Sequence, residues 1–195
     1  MNNYRKKNNL LLKKHTDKKY IDKYIKDEYL TDDGDADIFL NITDKDELFD
    51  SRTVGKQKDL NADIYDYIEN KSSILDCNTK IHLHIVGIEL TKEEEQTVKD
   101  LIKEHYSVEL YKNQKEYSKY KKNLLMLISV GLISFLIYVL LYFFTNLAFA
   151  LEMFCFLFSF ALWEAFDYYI YVFSEIKIER DNIIQDLNLE VDFNK

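Results

Sequence analysis

The chain has 195 residues, 47% of them hydrophobic, and a net charge of -8. That acidic balance argues against a nucleic-acid-binding protein, which presents a basic face. The only cysteines, Cys77 and Cys155, suit a reducing compartment rather than a disulfide framework.

Residues 1–30 carry nine Lys or Arg against four acids. Within them Tyr20, Ile21, Tyr24, Ile25 and Tyr29 recur at helical steps. With the acidic run Thr31–Asp37, in which Gly34 supplies a turn, they form an N-terminal arm, 1–35. The basic part reads either as an amphipathic helix on an anionic leaflet or as a locally docked helix with a solvated charged face. Its acids run straight into an apolar segment, which does not fit an EF-hand loop. Leu10-Leu11-Leu12 is too short for the apolar core of a signal peptide.

Residues 36–112 are expected to form a small cytoplasmic α/β domain. Asp37–Thr43 reads as a first strand, Asn61 caps a helix from Ala62 to about Lys71, and Lys80–Gly87 is the clearest strand in the chain. Ile81, Leu83 and Ile85 point to one face of it, and His82, His84 and Val86 to the other. Thr91 and Glu94 have capping-box spacing, opening a helix that runs to about His105. Residues 107–111 alternate like a short strand and equally fit the start of the helix that follows.

Residues 113–173 read as a transmembrane helical hairpin, with spans at about 124–144 and 147–167. About 20 apolar residues at 1.5 Å rise cross a hydrocarbon core of roughly 30 Å. Lys112, Lys115, Lys119, Lys121 and Lys122 precede the first span, and Lys177 and Arg180 follow the second. The turn at Thr145–Asn146 carries no charge, so both termini are expected in the cytoplasm of a bacterium, with the protein in its inner (plasma) membrane. Residues 174–195 give a cytoplasmic helix and a strand whose Leu187, Leu189, Val191 and Phe193 alternate with polar residues. A lone strand needs a sheet, so this one is expected to return to the N-terminal domain. The fold class is then α+β, a small α/β domain closed around a membrane hairpin.

Polar residues within the spans are the candidate packing or functional positions. Gly131, Ser134 and Tyr138 share one face of the first span, and Glu152, Cys155, Ser159 and Trp163 form a stripe on the second, with Tyr138 placed to donate to Glu152. Antiparallel pairing about the turn makes residue numbers at equal depth add to about 291. Glu164 and Asp167 then fall at the inner interface, near Lys121 and Lys122, as an ion pair that sets helix depth or as a cation-binding pair along an oligomeric path.

Catalysis finds no motif: there is no nucleophile elbow, phosphate loop, HExxH or CxxC. No catalytic residue is assigned and no cofactor is expected. His82 and His84 are the sharpest metal candidates, but zinc needs a third ligand and only His105 is near. The alternative for them is a polar stripe on a half-buried sheet.

Ala161-Leu-Trp-Glu-Ala-Phe-Asp167 resembles a WEAxD-type signature of small, uncharacterised bacterial two-span membrane proteins. Tyr67-Ile68-Glu69, a strand ending in Gly87, Leu90-Thr91 opening a helix, and His105-Tyr106 extend the similarity over roughly residues 37–193. The aromatic run Tyr168–Phe173 replaces a more charged sequence at that point. The resemblance implies the two-span topology and the returning strand, and no activity. The expectation is a non-enzymatic membrane protein whose cytoplasmic domain meets a protein partner or a second copy at the bilayer. The alternatives are an oligomeric effector or channel-forming subunit, and a metal-dependent enzyme at the membrane surface.

Overall fold

A computed structural model describes residues 18–144 and 147–194. Residues 1–17 of the N-terminal arm and the Thr145–Asn146 turn lie outside the described residues. The chain divides into two compact units: one holds the residues up to Ser107 and those from Asn182 onward, the other Val108–Asp181.

In the first unit, helix α1 (Lys18–Glu28) precedes strand β1 (Ala36–Asn41). A short helix α2 (Lys45–Leu48), a 3-10 turn (Gly55–Gln57) and helix α3 (Ala62–Ser72) lead to strand β2 (Ile81–Val86). Strand β3 (Glu190–Asn194) comes from the far end of the chain. The sheet is parallel throughout, in the order β1-β2-β3. Asp37 pairs with His82 and His82 with Glu190, while Phe39 pairs with His84 and His84 with Asp192. The strand expected from the alternation of Leu187 to Phe193 does join the N-terminal sheet as its third strand, but it starts only at Glu190, because Leu187 is the last residue of a helix.

One face of this sheet carries the core. Ile38, Ile81, Leu83, Ile85 and Val191 are buried with Ile64 and Ile68 of α3. Val98, Ile102 and Tyr106, spaced by four on the next helix, join the same core. That helix, α4 (Lys92–Phe144), is 53 residues long. Its capping box forms as expected: the Thr91 amide donates to Glu94 at 2.9 Å, and the Glu94 amide to the Thr91 hydroxyl at 3.3 Å. Lys45 adds an ion pair that, with the Thr91 amide, holds the Glu94 carboxylate down to about 2. The helix does not stop at His105, and residues 107–111 are helical. The chain contains no proline, and the first glycine in α4 is Gly131, so nothing breaks the backbone ladder there.

In the second unit α4 runs antiparallel to α5 (Ala148–Asp167). A π turn (Tyr168–Val172) follows, and then helix α6 (Phe173–Leu187). Phe135 packs obliquely against Phe158 and Tyr120 against Tyr168, and Tyr117 meets Phe173 edge-on, with ring centroids 5.0, 5.6 and 5.2 Å apart. The Asn113 amide donates to the Ile176 carbonyl at 3.3 Å and to Glu179 at 3.0 Å. Both helical stretches, Lys92–Phe144 and Ala148–Leu187, are long and apolar enough to cross a membrane, with windows of mean hydropathy 2.8 and 1.6. Only 11% of each window is buried, so these are not core helices wrapped by protein.

Candidate interaction surface

The second face of the sheet carries its half-buried and exposed side chains. It presents Asp37 and Phe39 from β1, His82, His84 and Val86 from β2, and Glu190 and Asp192 from β3. Parallel sheets are normally covered on both faces, which makes a polar, part-exposed one unusual. Phe39 is 58% exposed here and stacks on the His84 ring at 4.8 Å.

The two histidines are held by carboxylates. His82 Nε2 lies 3.3 Å from Asp35 and its Nδ1 lies 3.4 Å from Glu190, so both ring nitrogens face acids. His84 Nε2 lies 3.0 Å from Asp37. Lys80 pairs with Glu190 at 2.7 Å and holds that carboxylate below its usual range. His105 does not join them: it stacks on Tyr65 at 3.6 Å, against the opposite, core side. Among the described residues no three His, Cys, Asp or Glu side chains stand together as a metal-binding group. The face thus sets histidines, carboxylates and the exposed Phe39 ring side by side.

The charge is concentrated around this sheet. Residues 18–107 and 182–194 hold 13 Lys or Arg against 25 Asp or Glu, a net charge of -12. The whole chain carries only -8 chiefly because residues 1–17 add a net +4.

The two edges of the sheet differ. The Ala36 amide donates to the Lys80 carbonyl and the Ile42 amide to the Val86 carbonyl, so the even-numbered residues of β1 bond to β2. The odd-numbered ones therefore point outward. Two of these outward groups are satisfied: the Asp37 amide donates to the Tyr29 carbonyl at 2.9 Å, and the Tyr67 hydroxyl to the Phe39 carbonyl at 2.7 Å. By the same alternation, Val191 and Phe193 direct their amides and carbonyls away from β2. Among the described residues nothing pairs with that edge. Beside it runs a groove of about 640 Å³, walled by Gln96, Lys99 and Lys103 of α4 and by Leu189 to Asp192.

A buried polar cluster underlies the returning segment. Gln185 and Asp186 of α6 are 6% and 3% exposed. The Gln185 carboxamide donates to the carbonyls of Asp76 and Thr79. Burial pushes the Asp186 carboxyl up to about 6, against the lowering effect of a hydrogen bond with Ser72. The Ser72 hydroxyl also reaches the Glu69 carbonyl at 3.3 Å, and its single proton cannot serve both acceptors. Asp186 Oδ1 and Gln185 Oε1 are left without a hydrogen-bond partner among the described residues. The sequence hides this cluster, because the Gln185-Asp186 pair falls within an ordinary polar stretch of helix.

In the spans, the first helix turns Gly131 and Ser134 inward, and both are buried, while Tyr138 is half-buried. A Cβ placed on Gly131 would stand 3.6 Å from Ala161 and 3.5 Å from Leu162. The second span differs from the expectation. Glu152, Cys155, Ser159 and Trp163 are exposed, Trp163 by 69%, and the face that meets the first helix carries Ala161 and Ala165 instead. The cause is close packing: two alanines admit Gly131 and Ser134, and Trp163, 200° around the helix from Ala161, must point away. The Ser159 hydroxyl donates to the Cys155 carbonyl within its own helix. Tyr138 does not bond to Glu152. Lys121, Lys122 and Asp167 are exposed, Glu164 is half-buried, and no ion pair joins the lysines to the acids among the described residues.

Comparison with protein-family models, with curated proteins and with solved structures gives no match.

Proposed function

We propose that this chain is a non-enzymatic inner-membrane protein, anchored by two spans, whose acidic α/β domain binds a basic protein partner at the cytoplasmic surface. The observation that carries the reading is the sheet face, with its carboxylate-held histidines and exposed Phe39, on a domain whose residues 18–107 and 182–194 carry a net charge of -12. The two barely buried apolar helices support the membrane location, and the lysines before the first span support cytoplasmic termini. Affinity purification of the full chain from native membranes tests it. A specific partner lost on Phe39→Ala with Asp37→Lys is expected. Absence of any partner above background, with a hydrolytic activity in the same preparation, would overturn it.

A second reading rests on Glu152. Its carboxylate lies in an apolar span, exposed and without a partner among the described residues. A carboxylate in hydrocarbon is costly unless protein or water covers it, which favours self-association along the Glu152–Ser159 stripe, as an oligomeric effector requires. Oxidative crosslinking through Cys155 in native membranes gives a dimer on this reading and only monomer without it.

A further inference from the structure

The two edges of the sheet differ: part of the β1 edge is satisfied and, among the described residues, none of the β3 edge is. At β1 the outward amide of Asp37 and the outward carbonyl of Phe39 each have a partner, supplied by Tyr29 and Tyr67. At β3 the outward groups of Val191 and Phe193 have none among the described residues, and the groove along them is walled by α4 rather than filled. Strand edges are ordinarily blunted by proline, lysine or a bulge. Residues Glu190–Asn194 contain neither proline nor lysine, and their register with β2 runs without a bulge.

We infer that the free edge of β3 takes up an extended segment of the protein partner as a fourth strand, with basic and apolar residues alternating along it. This rests on the protein-binding role proposed above and specifies its mode. Backbone amides and carbonyls set at strand spacing are satisfied by another extended backbone, so the occupant is a strand. The side chains flanking the edge set its pattern. Glu190 is already paired with Lys80, so exposed Asp192 on the second face is the acid that calls for Lys or Arg opposite it. Val191 and Phe193 on the core face, the latter under Lys99, call for apolar residues. A second copy of this chain is a poor occupant. Two-fold pairing of β3 with itself sets Glu190 and Asp192 against the same acids of the other copy.

The probe is a short fluorescent peptide alternating lysine and valine, titrated by anisotropy against the full chain in nanodiscs. Two further versions are N-methylated on one or the other alternating set of amides. The peptide is expected to bind, one N-methylated set to lose binding by about tenfold or more, and the other set to bind normally, because a strand pairs through one edge. Asp192→Lys is expected to weaken the unmodified peptide by about tenfold. Equal binding by both N-methylated peptides would show charge adsorption and overturn strand addition. Absence of binding would overturn it too, as would nanodisc-reconstituted chains that pair through β3 and exclude the peptide. A partner captured in cells and held unchanged by Asp192→Lys leaves the protein-binding role standing while strand addition falls.

Discussion

The Gln185 carboxamide donates to the Thr79 carbonyl at 2.9 Å, across 106 residues of sequence. With its second bond to Asp76 at 2.8 Å, it fixes α6 to the turn that leads into the central strand. Gln185→Ala removes both bonds and leaves two carbonyls without this donor. A loss of about 2 kcal/mol is expected from chemical unfolding of the detergent-solubilised chain. A change within a few tenths would mean the anchor is incidental.

Asp186 makes stability depend on pH in a defined direction. Its folded pKa, about 6, lies above the ordinary 3.8, so below pH 4 both folded and unfolded states carry the proton and burial of Asp186 costs no ionisation. As pH rises from about 4 through 6, the unfolded state releases its proton first. About 3 kcal/mol is then lost, and the loss persists at neutral pH. Asp186→Asn is expected to raise the melting temperature at pH 7.5 and to flatten that dependence. A variant less stable than the parent with the same pH profile would contradict this.

Gly131 separates two sizes of substitution. Its Cβ position is at ordinary contact distance from Ala161 and Leu162, so Gly131→Ala fits and gains up to about 1 kcal/mol from helix propensity. Gly131→Leu overfills the same contact and costs about 1 to 3 kcal/mol. Thermal unfolding in one detergent compares the pair, and equal melting temperatures would exclude close packing at this point.

Gly87 has a φ of +87°, and a Cβ there would run into the Asn41 side chain and stand 2.9 Å from the Ile42 carbonyl oxygen. Asn41 can swing aside; the Ile42 backbone cannot. Gly87→Ala is expected to destabilise the domain by about 2 to 3 kcal/mol, measured by urea unfolding.

Local signals were legible in the sequence where chemistry is local. Thr91 and Glu94 announce their own cap, and alternation in Ile81–Val86 and in Leu189–Phe193 marks two strands. The parallel order depends on contacts between residues 45 positions apart for β1 and β2 and 108 apart for β2 and β3, which no local pattern carries. The facing side of α5 was not legible for a different reason. Nearly every residue from Ala148 to Trp163 is apolar, so the hydrophobic pattern has no direction. Glu152 and Ser159 mark a stripe without saying whether it faces inward, and the small size of Ala161 and Ala165 decides the packing. The π turn at Tyr168–Val172 has no sequence marker at all.

The central claim is two membrane spans with the acidic domain on the cytoplasmic side, and the two native cysteines test it directly. Cys77 is exposed in the domain and Cys155 is exposed on α5. Single-cysteine variants Cys155→Ser and Cys77→Ser are treated with a membrane-impermeant maleimide in right-side-out and inverted vesicles. The account predicts that Cys77 reacts only in inverted vesicles and that Cys155 reacts in neither until the membrane is dissolved. Labelling of Cys155 as fast as Cys77 in intact vesicles, or of Cys77 from the outer side, would contradict it.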